Sequence, residues 1–196
     1  MSHQLYTTLA IVCGSRAYRE ADRFYFLLTP GFGLAVVRAT GVRKPGSKLS
    51  GHLTDLGLVK ATIVRGRDYW RLTGIEQQEE FFGPLSQAGR LGPLRHIVPL
   101  LRRLMPGERS DEALFSDLRD FLEFLVNTEL STGELKDAES LMVLRLLSHL
   151  GYLKAEKGLQ SFTEFKIWNK DRLKNLAPVR ALAIRTINAS FEHTHL

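Results

Sequence analysis

The stretch that decides the fold runs from Leu56 to Ile75 and reads LGLVKATIVRGRDYWRLTGI. Two runs rich in Val, Ile, Thr and aromatic residues, 56–64 and 69–75, flank the turn residues 65–68. β-Branched and aromatic residues favour extended strands, and a short break that contains glycine joins two strands as a hairpin. We therefore predict two antiparallel strands with a tight turn around Gly66-Arg67.

Three earlier segments have the same composition, namely Leu5 to Cys13, Arg23 to Leu28 and Leu34 to Ala39. Turn residues separate these segments, among them Gly14-Ser15 and Pro30-Gly31. Five short strands with such turns are typical of a small antiparallel barrel or sandwich. We predict that residues 1–80 form an all-β domain.

Beyond residue 80 the apolar residues recur with the helical spacing of three and four. This spacing predicts helices over 114–126, 135–147 and 179–191, a helix over 91–105 that Pro99 kinks or divides, and a shorter helix over 162–173. Ser110 is the predicted N-cap of the first of these helices. Because strands come first and helices follow, we predict an α+β fold in which a helical domain, residues 81–196, packs on the β domain.

The basic residues are concentrated in the front of the chain. The protein carries 27 Lys and Arg against 21 Asp and Glu, a net charge of +6. Between Arg16 and Arg71 there are eleven basic and four acidic residues. Such asymmetry indicates a polyanionic partner, with solubility as the simpler alternative.

Several function classes find no support. One cysteine, Cys13, excludes an internal disulfide and a multi-cysteine zinc site, and indicates a reduced cytosolic setting. We expect no signal peptide and no membrane span. The sequence has no phosphate-binding glycine motif and no nucleophile elbow. We therefore expect a protein that is not an enzyme and that holds no metal and no cofactor.

The basic loops of the β domain are the candidate binding site, because small barrels that bind oligonucleotides use long loops to reach phosphates and aromatic faces to stack bases. The predicted nucleic-acid contacts are Arg16, Arg19, Arg43, Lys44, Lys48, Arg65 and Arg67, with either Tyr69 or Trp70 as the stacking face. We predict a local ion pair between Asp22 and Arg23. For Arg38, a solvated outer face and a phosphate contact are equally compatible with the sequence.

Several segments resemble the N-terminal domain of the bacterial recombination mediator RecO. They are YTTLAIV (6–12), EADR (20–23), LLT (27–29), GVRKPGSKL (41–49) and the stretch 53–75. The helical half is similar in outline, with Leu114-Phe115, Gly151-Tyr152 and Ile187-Asn188-Ala189 at corresponding places. The resemblance covers nearly the whole chain and is densest over residues 5–75.

The resemblance implies an oligonucleotide-binding (OB) barrel followed by a helical domain, in a cytoplasmic, nucleoid-associated protein. It also implies binding of single- and double-stranded DNA, annealing of complementary strands, and loading of RecA, together with RecR, onto DNA covered by the single-stranded-DNA-binding protein SSB. RecR is expected to contact the barrel, and the helical domain to bind the acidic, apolar C-terminal tail of SSB. Candidate cations for that tail are Arg102, Arg103 and Arg145.

One departure from the family is clear in the sequence. Where many RecO proteins carry a four-cysteine zinc module, Gly151-Tyr152 is followed by LKAEKGL (153–159), without cysteine. We therefore expect a short form that lacks the zinc module. Two other readings remain open from the residues: a protein-binding adaptor without DNA affinity of its own, and an RNA-binding OB-fold protein of the translation apparatus.

Overall fold

Five strands close into a barrel in the N-terminal part of the chain. A computed structural model describes residues 4–105, 107–153 and 156–193. The strands are β1 (Leu5–Tyr18), β2 (Asp22–Thr29), β3 (Gly33–Ala39), β4 (Leu58–Arg65) and β5 (Trp70–Glu79), and their order around the barrel is β1-β2-β3-β5-β4. All pairings are antiparallel except the short parallel contact of β3 with β5. The predicted five-stranded OB-type barrel is confirmed.

The largest differences from the predicted strand boundaries lie in β1, in the turn between β4 and β5, and in β5, which ends at Glu79 rather than at Ile75. The first strand does not end at Cys13 but continues to Tyr18, past a register shift between Val12 and Ser15. Arg16 therefore lies on a strand, not in a loop. The turn between β4 and β5 covers residues 66–69 rather than 65–68, and the Gly66 amide donates to the Tyr69 carbonyl across 3.1 Å.

Seven α-helices follow within the described residues. They are α1 (Phe82–Gln87), α2 (Leu94–Leu104), α3 (Glu112–Asn127), α4 (Thr132–His149), α5 (Gln160–Thr163), α6 (Lys170–Leu176) and α7 (Arg180–His193). Short 3₁₀ turns lie at Ser50–His52, between β3 and β4, and at Ala177–Val179, between α6 and α7. None of the helices in this part of the chain is long and apolar enough to cross a membrane.

Three details of the helical half correct the prediction. Pro99 lies inside α2 without dividing it, because Leu94, Ile97 and Leu101 anchor one face of the helix in the core on both sides of the proline. The N-cap of α3 is Asp111, which accepts from the Leu114 amide at 2.8 Å. The predicted helix over 162–173 is two short helices, α5 and α6.

The barrel and the helices share one hydrophobic core. Ile11, Cys13, Leu28 and Leu34 on the outer side of the barrel join the cluster formed by the buried faces of α2, α3 and α4. A second, separate cluster fills the inside of the barrel. The helices therefore cover one part of the barrel's outer surface, and the remainder stays open.

Candidate nucleic-acid interface

Strand register aligns three arginines across the open part of the barrel. Arg16 pairs with Phe24, Phe24 pairs with Arg38, and Arg38 pairs with Arg71, which spans β1, β2, β3 and β5. Paired residues on neighbouring strands point to the same face of a sheet. We call Arg16, Arg38 and Arg71 the arginine row. The row faces outwards, because Tyr25, Val37, Trp70 and Leu72, their neighbours along the chain, belong to the cluster inside the barrel.

The middle arginine of the row is fixed by two neighbours. Asp22 compensates its charge, so Arg16 and Arg71 are the exposed cations of the row. Arg38 Nε and Nη2 donate to Asp22 Oδ2 at 2.9 and 2.6 Å, and Arg38 Nη1 donates to the Tyr69 hydroxyl at 2.9 Å. Asp22 Oδ1 also accepts from the Gly41 amide at 2.8 Å. The hydrogen bonds from Gly41 and Arg38 lower the pKa of Asp22 below its ordinary value. The predicted Asp22–Arg23 pair is wrong, since Arg23 donates to Ser15 Oγ instead.

Aromatic rings lie beneath the arginines. The Phe24 ring centroid is 4.7 Å from that of Tyr18 and 5.0 Å from that of Tyr69, and the Arg16 guanidinium lies over Phe24 at 5.2 Å. Tyr69 is half-buried at the edge of this cluster. Trp70 is only 3% exposed, and its indole N–H donates to Glu108 Oε1 at 2.8 Å. Tyr69 is therefore the accessible aromatic residue of the pair, and Trp70 is removed from the candidate stacking residues.

The loop that follows β3 lies beside the arginine row. Its cations Arg43, Lys44 and Lys48 are exposed, as is Arg19 in the turn before β2. Arg43 Nη1 donates to the Arg19 carbonyl at 3.4 Å, and the Asp22–Gly41 hydrogen bond ties the start of the loop to the row. The loop thus starts beside Arg38, which the sequence left undecided, and its Arg43 reaches the turn that holds Arg19.

The hairpin between β4 and β5 forms the other end of the basic surface. Arg65, Arg67, Tyr69 and Arg71 line an open depression of about 450 Å³. Arg67 is exposed, whereas Arg65 forms an ion pair with Glu108, from the segment between α2 and α3, and lies over Trp70 at 4.9 Å. The charge of Arg65 is consequently compensated within the protein. Arg71 also belongs to this surface, although it is not among the contacts predicted from the sequence. Only the strand register shows that Arg71 aligns with Arg38.

An apolar groove with cations lies in the helical half, between α2, α4 and α7. It measures about 470 Å³, and its lining includes Arg95, Pro99, Leu100, Arg103, Val143 and Ile187. Arg103 is thus placed at an apolar groove, as expected for the tail-binding candidates. Arg102 is also exposed, but its guanidinium lies over the Phe26 ring of the barrel at 3.7 Å, and it is absent from the lining of this groove.

Arg145 does not lie on the surface. Its Nε donates to Asp117 Oδ2 at 2.5 Å, its Nη1 donates to the Thr163 carbonyl at 3.1 Å, and the residue is 5% exposed. Asp117 also accepts from His149 at 3.2 Å and from the Trp168 indole at 3.0 Å. Burial opposes ionisation of Asp117, but these hydrogen bonds outweigh it and lower the pKa of Asp117. Because a buried, paired arginine cannot contact a peptide on the surface, Arg145 is removed from the candidates.

The described residues contain no group of three His, Cys, Asp or Glu side chains that could hold a metal ion. Cys13 is 1% exposed, and burial raises the pKa of its thiol to about 12, so that the thiol is protonated at neutral pH. Cys13 is accordingly a core residue.

Comparison with known proteins gives consistent similarities. Residues 1–81 match a family model described as "Recombination protein O N terminal". The chain is 33% identical to the DNA repair protein RecO of Dehalococcoides mccartyi over 123 residues, 63% of this chain and 49% of that protein. It is also 33% identical to the DNA repair protein RecO of Heliobacterium modesticaldum over 149 residues, 76% of this chain and 52% of that protein. The chain spans about half the length of these curated relatives.

Proposed function

This chain belongs to the RecO family, and from this premise we propose that it is a DNA repair and recombination mediator that binds single- and double-stranded DNA and anneals complementary strands. The observation that carries the proposal is the arginine row above an aromatic cluster, with the exposed cations of the loop 41–48 beside it. Guanidinium groups bind phosphates through paired N–H donors, and a partly exposed ring such as Tyr69 offers a base a surface to stack on.

The mechanism that fits this surface needs no chemical step, and we therefore propose a protein that is not an enzyme. Cations that neutralise phosphates release condensed counterions, so DNA affinity should fall steeply with salt. Two strands held on one positively charged surface repel each other less, which lowers the barrier to pairing. The barrel supplies a rigid frame, because Asp22 and Tyr69 hold Arg38 in place within the row.

The groove between α2, α4 and α7 is the proposed site for the C-terminal tail of SSB. An acidic peptide with an apolar end requires cations beside an apolar surface. Arg95 and Arg103 supply the cations, while Leu100, Val143 and Ile187 supply the apolar lining. We further propose that the protein acts with RecR to load RecA onto DNA covered by SSB, with RecR contacting the barrel.

The experiment that tests the proposal is the annealing of two complementary oligonucleotides, bare and then covered with SSB, at two salt concentrations. We expect acceleration on both substrates, weaker at the higher salt concentration. Acceleration on bare strands alone would refute the tail assignment but leave the DNA-binding barrel. No acceleration on either substrate would favour an adaptor without DNA affinity, and a preference for RNA over DNA in the same assay would favour an RNA-binding protein.

A further inference from the structure

Two adjacent arginines of α2 point to different surfaces. Arg103 lines the apolar groove against α4 and α7. Arg102 points towards the barrel, where its guanidinium carbon lies 3.7 Å from the centroid of the Phe26 ring. Consecutive residues on a helix are about 100° apart around its axis, so the two side chains cannot serve the same small site equally. The two residues that the sequence grouped together are therefore separated by the fold.

Arg102 and Arg16 are placed against the barrel in the same way, each with its guanidinium over a phenylalanine ring of β2. Phe24 and Phe26 are two residues apart on β2 and thus lie on the same face, with their Cα atoms roughly 7 Å apart. Arg16 from β1 lies over Phe24, and Arg102 from α2 lies over Phe26. Both arginines are exposed. A line of guanidinium groups therefore runs from Arg71 through Arg38 and Arg16 to Arg102.

The backbone of β1 makes room for this placement. β1 shifts register between Val12 and Ser15, and Gly14 there has a φ of 107°, which L side chains rarely adopt. A Cβ at Gly14 would lie 3.3 Å from Arg102 Nη1, closer than an ordinary contact. The bulge and the glycine together let the side chain of Arg102 lie across β1 on Phe26.

We propose that Arg102 is a phosphate-binding residue that continues the nucleic-acid surface from the barrel across the junction onto α2, and that it takes no part in binding the acidic tail. The inference rests on the proposed DNA binding. A guanidinium that lies over a ring keeps its N–H donors at its edge, where a phosphate oxygen can accept them. Asp55 and Arg95 line the same depression as Arg102. Among the described residues, no ion pair joins Arg102 to Asp55.

Three variants of the full chain test the inference, Arg102→Gln, Arg103→Gln and Arg16→Gln. Each removes one charge while keeping a long polar side chain. Binding of fluorescent single-stranded oligonucleotides is measured by anisotropy over a range of salt concentrations. Binding of a labelled acidic peptide with a C-terminal phenylalanine is measured in parallel, and thermal unfolding checks that each variant is folded.

We expect Arg102→Gln to weaken DNA binding severalfold and to reduce the salt slope by about 0.7, the share of one phosphate contact on a single strand. Its peptide affinity should equal that of the unmodified protein. Arg103→Gln should show the reverse, with weaker peptide binding. A fourth variant, Arg102→Lys, retains the charge and should retain most of the salt slope.

Two results would overturn the inference alone, and a third would overturn the proposed function with it. If Arg102→Gln binds DNA with the original slope while Arg16→Gln is weakened, Arg102 lies outside the surface and the proposed DNA binding stands. If Arg102→Gln loses peptide affinity as strongly as Arg103→Gln does, Arg102 belongs to the groove. If neither Arg102→Gln nor Arg16→Gln alters DNA binding, the proposed function itself fails.

Discussion

Asp22 determines where the middle of the arginine row points. Its carboxylate accepts two hydrogen bonds from Arg38 and one from the Gly41 amide, so one side chain fixes both a strand cation and the start of the basic loop. An exposed surface ion pair alone stabilises a protein little. Here the side chain of Asp22 is only 8% exposed, and its pKa is lowered in the folded protein.

The first prediction concerns Asp22→Asn and acid stability. Because the pKa of Asp22 is lower in the folded than in the unfolded protein, its contribution is complete above the ordinary pKa of about 4 and is lost as pH falls through the folded value. The unfolding free energies of Asp22→Asn and the unmodified protein should therefore converge as pH falls below 4. Urea unfolding at a series of pH values measures this. Asp68→Asn, at an exposed position, is the control. A difference in unfolding free energy between Asp22→Asn and the unmodified protein that stays constant at all pH values would contradict the prediction.

The second prediction separates Arg65 from Arg16. Glu108 already compensates the charge of Arg65, whereas Arg16 is exposed over Phe24. Arg16→Ala should therefore weaken DNA binding more than Arg65→Ala does. Glu108→Gln should strengthen DNA binding, because it releases Arg65 from its ion pair. Anisotropy titrations at one low salt concentration decide the order. Equal losses for the two arginine variants would show that Glu108 does not restrain Arg65.

At this scale the sequence located most of the cations but not their partners. Arg16 on β1 and Arg43 and Lys44 in the loop after β3 are exposed as expected, because charged residues are almost never fully buried without a partner. Arg38 was left undecided and Arg145 was wrongly assigned to the surface, since their partners Asp22 and Asp117 are 16 and 28 residues away along the chain. Only the tertiary fold brings such residues together.

At the scale of elements, a polar network joins α3, α4 and the segment that leads to α6. Asp117 on α3 accepts from Arg145 and His149 on α4 and from Trp168 just before α6, while Arg145 reaches the Thr163 carbonyl. This network packs the segment that follows Gly151-Tyr152 against the bundle. The zinc module that many RecO proteins carry is expected to be missing from this segment.

The third prediction is that Arg145→Met destabilises the protein strongly. It leaves the buried carboxylate of Asp117 without its main cation, and removing one partner of a buried ion pair costs about 3–5 kcal/mol. The double variant Asp117→Asn with Arg145→Met should be less destabilised than the sum of the two single variants. Urea unfolding of the four proteins measures this. Strict additivity would show that the pair does not interact.

The element boundaries that sequence reasoning missed have physical causes. β1 continues through Gly14 because a bulge at that glycine lets the strand bend and stay paired with β2. In the sequence alone, a glycine at this place indicates a turn. α2 continues through Pro99 because its buried face holds the helix on both sides. In both cases tertiary packing outweighs a local signal.

At the scale of the whole molecule, the barrel and the helices form one body with two proposed binding surfaces. The shared core joins the outer side of the barrel to α2, α3 and α4. The open part of the barrel carries the basic surface, and the far side of α2 carries the apolar groove. The two surfaces thus meet at α2, where Arg102 faces the basic surface and Arg103 faces the apolar groove.

The fourth prediction concerns the loop 41–48. Replacing Arg43, Lys44 and Lys48 together with Ala should weaken DNA binding and flatten its salt dependence, because three exposed cations are lost from the surface. The fold should be intact, since none of the three side chains is buried. A matched control is the exposed Lys157, Lys166 and Lys174 of the helical half, whose joint replacement should leave DNA binding unchanged. Equal effects of both triple variants would indicate binding by net charge alone.

The most direct test of the central claim is the salt dependence of single-stranded DNA binding, measured for the unmodified protein and for Arg16→Gln with Arg71→Gln. Arg38 is left in place because it also holds the fold around Asp22. We expect the logarithm of the binding constant to fall linearly with the logarithm of the salt concentration. The double variant should have a slope shallower by about 1.4, the share of two phosphate contacts. Identical slopes for the two proteins would contradict the assignment of the arginine row as the DNA-binding surface.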